Sequence, residues 1–327
     1  MRIAIIGGGS WGTALALVLA RRHDVSLWVH DASLAARMRD SRMNDVYLAG
    51  FPLPATIHVA SDFATALDGA EIAILVAPSE HCRGIFAEIR PYLQPNVRVV
   101  SATKGLEAKT LLTMSQMILT EQSTARVGVL SGPSFAHDVA RGDPTAAVIA
   151  SVDADLARDV QQAFGGSNIR LYTSSDPLGT EYAGALKNVI AIGAGICDGL
   201  GLGSNSLAAL ITRGLAEITR LACALGGRRE TLAGLAGMGD LVLTCTGAQS
   251  RNRTVGGELA RGRKLGEIIA SMRMVAEGVR TTESAVALAR RAAVEMPITT
   301  RMHAVLFEGQ APQDALRDLM ERSLKGE

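Results

Sequence analysis

The chain has 327 residues, 48% of them hydrophobic and 20% charged, with a formal net charge of +1. That length suits two globular domains with separate cores, and the near-neutral charge speaks against nucleic-acid binding as the main activity. The four cysteines (Cys82, Cys197, Cys223, Cys245) lack metal-type spacing and read as free buried thiols in a reducing compartment.

Short β-branched runs dominate the first half. RIAII, VSLWV, EIAILVA, VRVVSA and VGVLS have strand length, and helical stretches such as Trp11–Arg22 and Glu80–Tyr92 lie between most of them. This alternation predicts a doubly wound, mostly parallel α/β sheet of Rossmann type. TAAVIA and IRLY, flanking a helical segment from Asp153 to Phe164, are expected to extend the sheet. Ile3–Ile6 is too short for a signal-peptide core and no small-residue cleavage site follows, so a cytoplasmic location is expected.

After Ser174 the pattern turns to long alanine- and leucine-rich helical segments, separated by GLGLGSN and GLAGMGD. An all-α domain is expected over 183–327, following a dinucleotide-binding domain over 1–182, with a cleft between them. The most apolar stretch, Leu207–Leu225, carries Arg213, Glu217 and Arg220. It reads as a buried helix with one polar edge, not a membrane span.

GGGSWG follows the first strand and opens a helix, fitting G-x-G-x-x-G with Gly7, Gly9 and Gly12. In this setting Gly7 permits a tight turn, Gly9 admits a pyrophosphate to the backbone, and Gly12 lets helix and strand pack closely. The second strand ends LWVHD. Asp31 stands where an acidic residue binds the ribose 2′-hydroxyl of NAD, or it caps the next helix. His30, with Arg37 as helper, would instead meet the 2′-phosphate of NADP. A nicotinamide cofactor implies hydride chemistry, which needs a proton donor and a substrate anchor.

Lys104 follows a strand in SATKGLE, at a carboxyl end where open α/β sheets bind ligands. Lys187 lies in an apolar helix, GTEYAGALKNVIAIGAG, beside Asn188. It either snorkels to the surface or is buried against a carboxylate, and Asp240 in AGMGDLVLTC is the candidate partner. Ser250-Arg251-Asn252-Arg253 is either a solvated loop or a phosphate-binding helix start. Gly132 to Ala136, GPSFA, is a plain turn or a source of backbone donors.

These motifs together resemble the bacterial-type NAD(P)-dependent glycerol-3-phosphate dehydrogenases. The resemblance is carried by GGGSWGTALA, SATKGLE, GPSFAHDVARGDPTA, ALKNVIAIGAGICDGLGLGSNSLAALITRGLAEITRLACALGG, GLAGMGDLVLTCTGAQSRNR, VAEGVRTT and MPIT, in order along nearly the whole chain. It implies a Rossmann domain, a helical domain, a homodimer, and reversible reduction of dihydroxyacetone phosphate to sn-glycerol 3-phosphate, feeding phospholipid synthesis. By matching positions it implies Lys187 as proton donor or acceptor, supported by Asp240 and Asn188. Lys104, Gly132, Ser134, Ser250, Arg251 and Asn252 would contact substrate. Ser10, Trp11, His30, Ala136, Val275 and Glu277 would contact NAD or NADP, with Lys104 and Arg251 near both ligands. Ala49 departs from a common proline, and Met238 from a frequent leucine. A hydroxy-acid dehydrogenase of the same plan and a non-catalytic dinucleotide sensor are the competing readings. Neither needs SRNR, and the sensor does not need Lys187 with Asp240.

Overall fold

The computed structural model describes residues 1–272 and 276–323. The chain forms two compact units, Met1–Lys104 with Leu112–Glu181, and Gly105–Leu111 with Tyr182–Glu327. The division after Glu181 falls inside the helix Pro177–Gly199.

The first unit is built on one eight-stranded sheet. Its strands are β1 (Arg2–Ile6), β2 (Asp24–Trp28), β3 (Ile57–Ala60), β4 (Ile72–Leu75), β5 (Arg98–Ser101), β6 (Arg126–Ser131), β7 (Thr145–Ala150) and β8 (Ile169–Ser174). Their order is β3-β2-β1-β4-β5-β6-β7-β8. Neighbours from β3 to β6 are parallel, β6 and β7 pair antiparallel, and β7 and β8 are parallel again. The chain leaves β1 toward β2 on one side and returns to β4 on the other, which creates the switch point where such sheets bind ligands.

Alternation along β1 explains the two layers. Ile3 and Ile5 enter a core with Leu15, Val18 and Leu19 of the helix Ser10–Leu19 and Leu156 and Val160 of Ala154–Ala163. Ala4 and Ile6 face a second core with Phe86 and Ile89 of Cys82–Ile89 and Met117 and Ile118 of Met114–Glu121. The expected helix Glu80–Tyr92 is in fact a central α-helix flanked by single 3₁₀ turns, Ser79–His81 and Arg90–Tyr92.

Among the described residues the second unit contains no strand. The helix Ser204–Ala224 is less buried than expected. Gly214, Glu217, Ile218, Leu221 and Ala222 are covered, whereas Leu207, Leu210, Ile211 and Leu215 stay partly exposed. Glu217, expected on a polar edge, is 2% exposed. Its carboxylate accepts from the Ile298 and Thr299 amides at 2.6 and 3.2 Å, supplying the acceptors that open the helix Pro297–Phe307. The cysteines also divide: Cys82 and Cys245 are buried, but Cys197 is half-buried and Cys223 exposed. No helix among the described residues is long and apolar enough to cross a membrane.

Burial pushes the Glu217 carboxyl up to about 7, opposed by the hydrogen bonds from Ile298 and Thr299. A carboxyl raised on folding stabilises the fold below its unfolded value, and that contribution is lost as pH rises through the folded value. Glu217→Gln removes the titration. Denaturant melts from about pH 5 to pH 8 should show wild-type stability falling relative to the variant, by on the order of 3 kcal/mol. Parallel profiles would contradict this account of Glu217.

Candidate functional site

In the first unit, the three fingerprint glycines meet three different constraints. Gly7 has φ +136°, and a Cβ there would overlap the Val76 carbonyl beyond β4. A Cβ at Gly12 would overlap the Gly7 carbonyl, so helix and turn are in backbone contact. Gly9 has nothing within 4 Å of its Cβ position. Its openness is not needed for packing and leaves room for a ligand beside the backbone. Gly9 is the N-cap of the helix Ser10–Leu19, which has no side-chain cap and no acidic residue in its first turn. That helix start therefore offers amide donors and a partial positive charge to an anion. Asn44, fully buried, donates to the Gly8 carbonyl at 2.9 Å and to Thr13 Oγ1 at 2.8 Å.

Ser10 and Trp11 are half-buried at that helix start, and His30 is exposed beyond β2, its ring 5.7 Å from that of Trp28. Asp31 is the N-cap of Ala32–Ser41. Its Oδ1 accepts from the Ser33 amide at 2.8 Å, the Ser33 hydroxyl at 2.7 Å and the Leu34 amide at 3.2 Å. The Ser33 hydroxyl, the two amides and Arg37 hold its carboxyl below the usual range. Arg37 lies 3.8 Å from Asp45. Beyond β5 and β6, Lys104 Nζ donates to the Gly132 carbonyl at 3.0 Å, as does Ser134 Oγ at 3.0 Å. Gly132 has φ +142°, and a Cβ there would lie 2.9 Å from Ala147 Cα. Ala136 is half-buried at the start of Ala136–Arg141.

The second unit brings the charged candidates together. Lys187 and Asp240 side chains are 7% and 1% exposed, and Lys187 Nζ lies 2.8 Å from Asp240 Oδ1. Lys187 also donates to Thr244 Oγ1 at 2.6 Å, and Thr244 donates to the Asp240 carbonyl at 2.6 Å. Lys187 therefore does not snorkel. Thr244 escaped sequence analysis, although its i+4 spacing from Asp240 puts both on one helix face. A π-helical turn, Leu235–Gly239, leads directly into the helix Asp240–Thr246 and sets where Asp240 enters.

The SRNR segment is not a solvated loop. Ser250, 4% exposed, caps the helix Arg251–Ala260 by accepting from the Arg253 amide. Asn252 Nδ2 donates to Asn188 Oδ1 at 3.0 Å, and its Oδ1 accepts from the Gly278 amide at 2.9 Å. Lys187-Asn188 and Arg251-Asn252 are thereby tied side by side. Arg251 keeps an exposed side chain, yet surrounding protein pulls its guanidinium below the ordinary value, opposed by the charge of Glu277. Arg253 instead lies 3.3 Å from Asp198. Glu277 is half-buried at the start of Glu277–Arg291, and Val275 lies outside the described residues.

The model of the NAD-dependent glycerol-3-phosphate dehydrogenase N-terminus matches residues 2–157, and that of the C-terminus matches 176–317. The chain belongs to the NAD-dependent glycerol-3-phosphate dehydrogenase family. It is 56% identical to the glycerol-3-phosphate dehydrogenase [NAD(P)+] of Koribacter versatilis, covering 98% of this chain and 97% of that protein. The Geobacter sulfurreducens protein of the same name is 51% identical, covering 100% and 98%. The crystal structure of glycerol-3-phosphate dehydrogenase from Coxiella burnetii superimposes with a TM-score of 0.95 at 41% identity, covering 98% of this chain and 99% of that one.

The two asparagines meet because their helices touch through glycines. A Cβ on Gly195 would overlap the Arg253 carbonyl, and one on Gly256 would overlap the Ile192 carbonyl and lie 2.8 Å from the Ile196 amide. Gly256→Ala should force the helices apart. A loss of about 1–3 kcal/mol in denaturant unfolding, with activity falling in the folded fraction, is the expected result. Wild-type stability and activity would contradict it.

Proposed function

We propose that this protein catalyses the reversible NAD(P)H-dependent reduction of dihydroxyacetone phosphate to sn-glycerol 3-phosphate, a backbone for glycerophospholipid synthesis. The observation that carries this reading is the buried Lys187 ammonium, held by Asp240 and Thr244, with its neighbour Asn188 bonded to the SRNR helix start. We read Lys187 as the proton donor and Arg251, next in sequence to Asn252, as the phosphate anchor, and a sensor needs neither.

Gly7, Gly9, Gly12, Ser10 and Trp11 fit a dinucleotide, because the open Gly9 backbone and the uncapped helix start suit its pyrophosphate. His30, Asp31, Ala136, Val275 and Glu277 are assigned to the remainder of the cofactor. When bound, the reduced nicotinamide supplies a hydride. Arg251 and Asn252, with Ser250, hold the substrate phosphate and so fix the position of the carbonyl. Lys187 stabilises the charge that develops on the carbonyl oxygen and donates a proton to it. Asp240 and Thr244 keep the ammonium oriented, and Asn188 holds Asn252. Lys104, Gly132 and Ser134 are assigned to the substrate, with Lys104 and Arg251 also near the cofactor. We assign the working state to a cytoplasmic homodimer, in keeping with the partly exposed Leu207, Leu210, Ile211 and Leu215.

The test is steady-state oxidation of NADH and NADPH in parallel, with dihydroxyacetone phosphate, unphosphorylated dihydroxyacetone and a 2-oxo acid as substrates. Turnover with dihydroxyacetone phosphate should exceed that with dihydroxyacetone by at least about 100-fold in kcat/KM, since binding of the remote phosphate assists the reacting carbonyl. A better 2-oxo acid, or no turnover in folded protein that binds cofactor, would overturn the proposal.

A further inference from the structure

The Gly8–Gly9 peptide has two flat faces and two glycines, so little in its own chemistry selects one orientation over the flipped one. The surroundings do select one. The Gly8 carbonyl accepts from Asn44 Nδ2 at 2.9 Å. Asn44 is 0% exposed and its amide is committed on both sides. Nδ2 also donates to Thr13 Oγ1 at 2.8 Å, and Oδ1 accepts from the Tyr47 amide at 3.1 Å. The two acceptors on one side and the donor on the other fix which way the amide points.

A trans peptide holds its C=O and the following N–H on opposite sides, and the chain has no cis bond among the described residues. With the Gly8 carbonyl turned inward to Asn44, the Gly9 N–H points the other way. Of the three fingerprint glycines, Gly9 is the one with nothing within 4 Å of its Cβ position, and its N–H takes no partner among the described residues.

We infer that Asn44 is a positioning residue for cofactor binding: by fixing the Gly8–Gly9 peptide, it presents the Gly9 N–H to the cofactor pyrophosphate. This rests on the dinucleotide assignment of the preceding subsection, but not on the identity of the substrate. The segment that carries Asn44 is itself held in place. Arg42, with φ +53°, bonds the Leu53 and Ile57 carbonyls at 3.2 and 3.0 Å, and Met43 bridges to Pro52. The asparagine is therefore presented on a fastened loop, and the dinucleotide turn is ordered before ligand arrives.

Asn44→Asp tests the inference with almost no change of shape. It keeps the acceptor for Tyr47 and replaces the donor facing Gly8 with an oxygen, which repels that carbonyl and favours the flipped peptide. Binding of NADH and of ADP, measured directly by fluorescence titration and calorimetry, should weaken together by roughly 10- to 100-fold, the range for a hydrogen bond to a charged group. Adenosine, which lacks the diphosphate, should bind as it does to wild type. At saturating cofactor, kcat and the KM for dihydroxyacetone phosphate should stay within about twofold of wild type, because Asn44 touches neither substrate nor Lys187. Unchanged NADH and ADP binding in folded Asn44→Asp would overturn the inference, as would equal weakening of adenosine. Should Asn44→Asp fail to fold, Asn44→Ala in the same titrations must show the same selective loss of NADH and ADP, and wild-type affinity there would overturn it. Wild-type protein that binds NADH without reducing dihydroxyacetone phosphate would count against the proposed reaction alone.

Discussion

The buried polar cluster of the second unit depends on one close approach, the backbone contact between the helices Pro177–Gly199 and Arg251–Ala260. Glycines at 195 and 256 leave no side chain at the crossing, so each helix meets the other's carbonyls directly. At that spacing Asn188 and Asn252 reach one another, which ties the Lys187-Asn188 segment to the start of the helix Arg251–Ala260. Gly278 extends the same constraint, since a Cβ there would lie 2.7 Å from both the Asn188 carbonyl and Asn252 Oδ1. Apolar packing alone gives helices freedom to slide. Backbone contact and a buried amide network do not.

Within that frame the chemistry is electrostatic. A buried ammonium without a partner is strongly destabilising, and breaking a buried ion pair typically costs about 3–5 kcal/mol. Lys187 avoids this through Asp240 and Thr244, both on one helix whose start is set by a π-helical turn. In such a water-poor setting the field of a buried charge acts strongly, which is what the proposed proton transfer to a developing oxyanion requires. The first unit offers an anion a different setting. It uses a helix start stripped of side-chain caps and a glycine whose open side serves no packing purpose.

Much of this was legible in the sequence, for identifiable reasons. Buried parallel strands are continuous β-branched runs, so β1, β2, β4, β5 and β6 stand out. β3, IHVA, does not, because the exposed His58 interrupts its apolar run and Pro54 stands just before it. The antiparallel step at β7 is also invisible, because alternation reports burial and not direction. Lys187 could be picked out because a lysine in an apolar helix is anomalous. Its contact with Thr244 could not, because a threonine in a helix is unremarkable until the fold brings the lysine to it. Asp31 sits at both a ribose-binding position and a cap position, and only the folded structure reveals its two capping amides and the Ser33 hydroxyl bond. The role of Asn44 carries no local signal, since the partners of its Nδ2, Gly8 and Thr13, are 36 and 31 residues away.

Lys187 is proposed to move the proton. This role is tested most directly by Lys187→Ala assayed with dihydroxyacetone phosphate and reduced cofactor, with and without added methylammonium. Turnover should fall by at least about 100-fold while cofactor affinity is kept, and the small amine should restore part of it in a saturable manner. Near-normal turnover in folded, cofactor-binding Lys187→Ala would contradict the account.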